Sequence, residues 1–89
     1  MSYFVYLIAT NRKNKIITYV GYTKNLLKRL SLHNLGKGAK FTRGKKWKLI
    51  YSKIYYDKSQ AIKEEFKLKK NYAKRNILKN EFLIKDEFN

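Results

Sequence analysis

Y-F-V-Y-L-I-A (residues 3–9), T-N-R-K-N (10–14) and K-I-I-T-Y-V-G-Y (15–22) decide the fold. The two flanking segments are rich in β-branched and aromatic residues, the composition of strands that pack on at least one face. The polar stretch between them holds two asparagines, which tolerate the backbone conformations of a tight hairpin turn. An antiparallel hairpin at the start of the chain is therefore expected.

Downstream, Thr23 or Asn25 offers a helix N-cap. Leu26, Leu27 and Leu30 give a helical stripe that ends near Gly36. G-K-G-A-K-F-T-R-G-K-K (36–46) reads as a basic, glycine-punctuated loop, and W-K-L-I-Y-S-K-I-Y-Y (47–56) as a third strand. Asp57 and Gln60 have capping-box spacing, with Ser59 as a rival cap, ahead of an apolar face of Ala61, Ile62, Phe66 and Leu68. A last helix over about 73–86 carries Ile77, Leu78, Phe82 and Leu83. The expected fold class is α+β: a single small domain over 1–89 with a core of about 3–70, a three-stranded antiparallel sheet flanked by helices in the order β-β-α-β-α-α.

The 89 residues leave room for one small core. Absence of cysteine excludes disulfides, thiolate zinc sites and cysteine nucleophiles, and a single histidine, His33, excludes a multi-histidine metal site. The apolar run 3–9 is too short to cross a bilayer and lacks the basic segment of a signal peptide, so a cytoplasmic location and no membrane partner are expected.

Lys and Arg number 22 against 6 acids, a net charge of +16. Thirteen of those cations precede Asp57, and no acid does. A lysine-rich composition does not account for that asymmetry, whereas a polyanionic partner does. Nucleic acid is the favoured one. In the loop, Lys37, Lys40, Arg43, Lys45 and Lys46 are candidate phosphate contacts, and Phe41 or Trp47 a surface for an unpaired base. An ordinary basic connection is the competing account.

Two helices offer chemistry. On a wheel advancing about 100° per residue, Glu65 falls amid the apolar face near Ala61, and Glu64 falls on the solvent side. A carboxylate there is either paired with a cation or bound to a divalent metal, which takes oxygen ligands. With no acid before Asp57, one glutamate completed by water and phosphate suits the sequence better than a multi-carboxylate cage. Arg29 and His33, four apart, share one face of the first helix. They suit phosphate binding and proton transfer, or simply a solvated helix flank.

Taken together, F-V-Y (4–6), Y-V-G (19–21), Arg29, His33, the loop 36–44 and S-Q-A-I-K-E-E-F-K-L-K-K (59–70) resemble the GIY-YIG nuclease superfamily. The match is to its small single-domain bacterial members, and through them to the N-terminal nuclease domain of the excision-repair endonuclease subunit. The resemblance implies metal-dependent hydrolysis of DNA phosphodiesters, weakly specific or directed by DNA structure, in repair or recombination. It implies Mg2+ or Mn2+ on Glu65 and no small-molecule cofactor. Tyr6 and Tyr19 would line the site, one of them deprotonating or positioning water, with Arg29 stabilising the transition state and His33 supporting a tyrosine or phosphate. Gly21 would let the backbone turn closely into the helix. The first motif departs from the family pattern in having Phe4 and Val5. A late family asparagine has no clear match, with Asn71 and Asn76 as candidates. Specificity would come from the basic surface, the substrate's structure or a protein partner. The rival class is a non-catalytic nucleic-acid-binding module on the same fold.

Overall fold

The unbroken apolar run of residues 3–9 builds the strand around which everything else is arranged. In the computed structural model, which describes residues 1–86, β1 (Tyr3–Arg12) lies between β2 (Lys15–Thr23) and β3 (Lys48–Tyr55) in an antiparallel sheet of order β2-β1-β3. Being central, β1 has every side chain from Val5 to Thr10 buried. The hairpin zips further than the polar stretch suggested, pairing Arg12 with Lys15. Only Lys13 and Asn14 remain in the turn, both at positive φ (51° and 67°), as a two-residue turn of primed type requires.

Helix α1 (Leu26–Asn34) starts at Asn25, whose side chain accepts from the Lys28 amide, and so decides between the two expected caps. A 3-10 turn, Lys40–Thr42, sits in the loop that followed α1 in the sequence reading. Helix α2 (Lys58–Lys70) is capped by Asp57, which accepts from the Ser59 amide. Helix α3 (Tyr72–Asp86) starts against Asn71, whose side chain accepts from the Lys74 amide. That assigns Asn71 a capping role.

Two apolar clusters cover opposite faces of the sheet. Val5, Leu7 and Val20 pack with Tyr55 and with Ala61 and Leu68 of α2, joined by Leu78 of α3. Tyr6, Ile8 and Trp47 pack with Leu26 and Leu30 of α1. The expected apolar face of α2 is corrected: Ile62 and Phe66 are exposed, and the buried line runs through Ala61 and Leu68. A 13-residue helix lying on a three-stranded sheet presents only a narrow stripe to it, so residues about 100° off that stripe reach water. Likewise Ile77 of α3 is exposed while Leu78 packs inward.

Candidate active site

The even-numbered face of β1 places Tyr6 opposite Gly21 of β2 and Ser52 of β3. Tyr6 is almost wholly buried, and its ring end occupies the space that a Cβ on Gly21 would need. The role expected of Gly21, a close turn into the helix, is therefore replaced: glycine is required here because the Tyr6 hydroxyl lies against the neighbouring strand. Two residues away on the same face, Tyr19 presents its ring edge to His33 (centroids 5.2 Å apart) and stacks on Phe41 at 6.2 Å and 20°.

His33 comes from the last turn of α1 and is fully buried. Its Nε2 lies 2.8 Å from the Tyr6 hydroxyl and its Nδ1 2.9 Å from Thr42 Oγ1. The Thr42 hydroxyl donates to the Ala39 carbonyl at 2.9 Å, and a carbonyl can only accept. With its one proton so engaged, Thr42 accepts from the Ala39 amide and from His33 Nδ1. The imidazole therefore carries its proton on Nδ1, and Nε2 is a lone-pair acceptor for the Tyr6 hydroxyl. Burial, reinforced by the Arg29 charge, holds His33 below its ordinary pKa, consistent with a neutral ring. Gly38 completes the pocket, since a Cβ there would collide with the imidazole.

The Tyr6 phenol is pushed up to about 12, chiefly by burial. Arg29 opposes that rise through its charge and a hydrogen bond, while Tyr19 and Glu65 add to it. Tyr6 is thus the residue at which Tyr19, Arg29, His33 and Glu65 are all felt. Arg29 is half-buried on the α1 face that bears His33. Glu65 stands on α2, with 17% of its side chain exposed and Lys69 at 3.4 Å, and acts on Tyr6 through its charge. Glu64 is half-buried rather than on the solvent side as expected, because the buried stripe is centred between the two glutamates. It pairs with Lys67 at 3.2 Å and lines a separate small cavity with Tyr51 and Tyr55.

Among the described residues no group of three or more His, Cys, Asp or Glu is assembled, which rules a closed protein cage out of the reading. A single carboxylate could hold an oxygen-seeking divalent ion only with waters and phosphate oxygens completing its shell.

Of the basic loop, Lys37 and Lys40 are exposed on its first half. Arg43, Lys45 and Lys46 line a cavity of about 680 Å³ together with Arg12 and Lys48. Phe41 is half-exposed beside Tyr19, whereas Trp47 is buried, donating from its indole to the Thr42 carbonyl at 2.9 Å. Thr42, Gly38 and Arg12 had no part in the site read from sequence. The first two stand inside the quoted loop 36–44, but an uncharged hydroxyl and a glycine there give no periodicity or charge signal.

A family model described as the GIY-YIG catalytic domain matches residues 2–79. The UPF0213 protein OB0043 of Oceanobacillus iheyensis is 40% identical over 68 residues, covering 75% of this chain and 76% of that protein. The UPF0213 protein SERP0126 of Staphylococcus epidermidis is 37% identical over 78 residues, covering 86% and 90%. Among solved structures, the solution NMR structure of the UPF0213 protein BH0048 from Bacillus halodurans is 30% identical, covers 90% of this chain and 84% of that one, and superposes with a TM-score of 0.49.

Proposed function

We propose a function from one premise: the chain belongs to the GIY-YIG family. It is a metal-dependent endonuclease that hydrolyses DNA phosphodiesters with little sequence specificity, directed by the structure of its substrate. The observation that carries this reading is the Tyr6 hydroxyl 2.8 Å from Nε2 of a buried histidine, under the charges of Arg29 and Glu65. A nucleic-acid-binding module needs no oriented phenol–imidazole pair.

With its phenol at about 12, Tyr6 does not act as a standing phenolate. Its oxygen accepts a proton from the attacking water while its own proton passes to His33 Nε2, so the phenol stays neutral and the imidazole becomes cationic. The Nδ1 proton, held by Thr42, stays in place throughout. Arg29 neutralises charge building on the phosphoryl oxygens. Glu65 would hold the divalent metal, which supplies Lewis-acid polarisation of the phosphate. Lys37, Lys40, Arg43, Lys45 and Lys46 contact the backbone of the DNA on either side. Among the described residues none is arranged for base-edge readout, so discrimination comes from substrate shape or a protein partner. Repair or recombination in the cytoplasm suits such an activity. Among the described residues no helix is long and apolar enough to cross a membrane.

One observation favours the alternative, a non-catalytic binding module: Lys69 already pairs with Glu65. With the lysine half-exposed, that pair is weak and a divalent ion displaces it readily. The test is cleavage of labelled single-stranded, duplex, flapped and branched DNA with Mg2+, Mn2+ or chelator, by the protein and by Glu65→Gln. Metal-dependent cleavage lost in the variant, with binding kept, supports the nuclease. Binding by both proteins without cleavage in either metal moves the function to the binding module.

A further inference from the structure

One cavity lies apart from Tyr6 and His33. It is a cleft of about 680 Å³ between the turn end of the β1–β2 hairpin, the loop after Thr42, and α3. Its rim carries Arg12, Arg43, Lys45, Lys46 and Lys48, and no carboxylate lines it among the described residues. Its apolar lining is Ala9, Ile16, Phe82 and Leu83, with the Lys48 ammonium 6.0 Å above the Phe82 ring. The cleft meets the candidate active site through consecutive residues: Thr42 is buried against His33, and Arg43 faces the cleft.

We propose that this cleft binds an unpaired nucleic-acid strand continuing from the scissile phosphate past Arg43. A duplex presents phosphates and hides its bases, so it makes no use of the Phe82 ring behind a cationic rim. An unpaired strand uses both, its phosphates on the rim and a base on Phe82. The inference rests on nucleic acid being the substrate, and it specifies which form: DNA with a single-stranded arm, such as a flap. Arg12 and Phe82 become specificity determinants 70 residues apart in the chain.

Fluorescence anisotropy in chelator, where nothing is cut, tests this with an oligothymidylate, a blunt duplex, and the same duplex bearing a single-stranded arm. The whole protein is compared with Arg12→Gln, Phe82→Leu and the double variant, each checked by circular dichroism. The arm is expected to tighten binding over the blunt duplex. Each single variant should weaken arm binding about fivefold or more while leaving the blunt duplex unchanged. Arg12→Gln should also reduce the slope of log K against log salt on oligothymidylate by about 0.7. If Phe82→Leu does not fold, the Arg12→Gln slope decides alone, since that side chain is exposed. Equal affinity for armed and blunt duplex, an arm effect that survives the double variant, or a loss confined to the duplex overturns the proposal. Failure to bind DNA of any form overturns the nucleic-acid reading beneath it, a distinct result.

Discussion

Tyr6 and Leu7 are chain neighbours, both essentially inaccessible to water, and they face different worlds. Leu7 sits in an apolar cluster with Val5, Val20 and Leu68. Tyr6 sits where buried polar groups, His33 and Thr42, are satisfied by one another. Strand alternation thus separates packing from chemistry at a single peptide bond. Polar groups can be desolvated on one face because the other supplies the apolar burial. Glu65 is the exception, since its helix packs on the Leu7 side while its charge is felt at Tyr6.

Substituting the two neighbours puts that division at risk. Tyr6→Phe is expected to reduce metal-dependent DNA cleavage by about 10²–10⁴, the range of a lost proton-transfer group. Its cost in stability should be limited to about 1–3 kcal/mol, from the unsatisfied His33 Nε2. Leu7→Ala should do the reverse: about 3 kcal/mol of stability lost in urea unfolding, with the cleavage rate per folded molecule retained. If both variants lose both properties equally, the two faces are not separate.

Thr42→Val ranks next. It keeps the volume but strands the Nδ1 proton of His33, at about 2 kcal/mol, and Thr42→Ser should restore most of it. A purely steric role for Thr42 predicts the opposite order, with valine tolerated and serine damaging.

How much of this was legible in the sequence follows the same division. The three strands, the three helices and their order were readable because β-branched and aromatic runs and helical apolar periodicity both report packing. Tyr6, Tyr19, Arg29, His33 and Glu65 were expected as a set through the family resemblance, and Arg29, His33 and Glu65 also from helical spacing; the structure sets Tyr6 and Tyr19 against His33. Thr42 was not legible, because a hydroxyl that fixes an imidazole tautomer acts through a loop closure nine residues away. The reason for Gly21 was not legible either, since the atom it accommodates belongs to another strand.

Two titrations sharpen the chemical face. His33 is held below its ordinary value near 6.5, so an unfolded chain takes up that proton first as pH falls. Its contribution is complete above about 6.5 and is lost as pH drops through the lower folded value. Tyr6 is raised from 10.0 to about 12, so its contribution is complete below 10 and is lost as pH climbs to about 12. Melting temperature against pH should show both edges. His33→Gln should flatten the acid one and Tyr6→Phe the alkaline one, and an unchanged profile in either variant removes that group as the cause.

The smallest effect concerns the packing face, where helical periodicity over-assigned residues. Ile62 lies about 100° from Ala61 on the wheel, and 42% of its surface is exposed. Ile62→Ser should therefore change stability by no more than about 0.5 kcal/mol, whereas Leu68→Ala, on the buried line, should cost about 3 kcal/mol. A loss of about 2 kcal/mol at Ile62 would mean that α2 buries a wider stripe. The helix would then have to roll toward Ile62, which would carry Glu65 relative to Tyr6. Measuring the least important side chain on α2 thus checks the placement of the most important one.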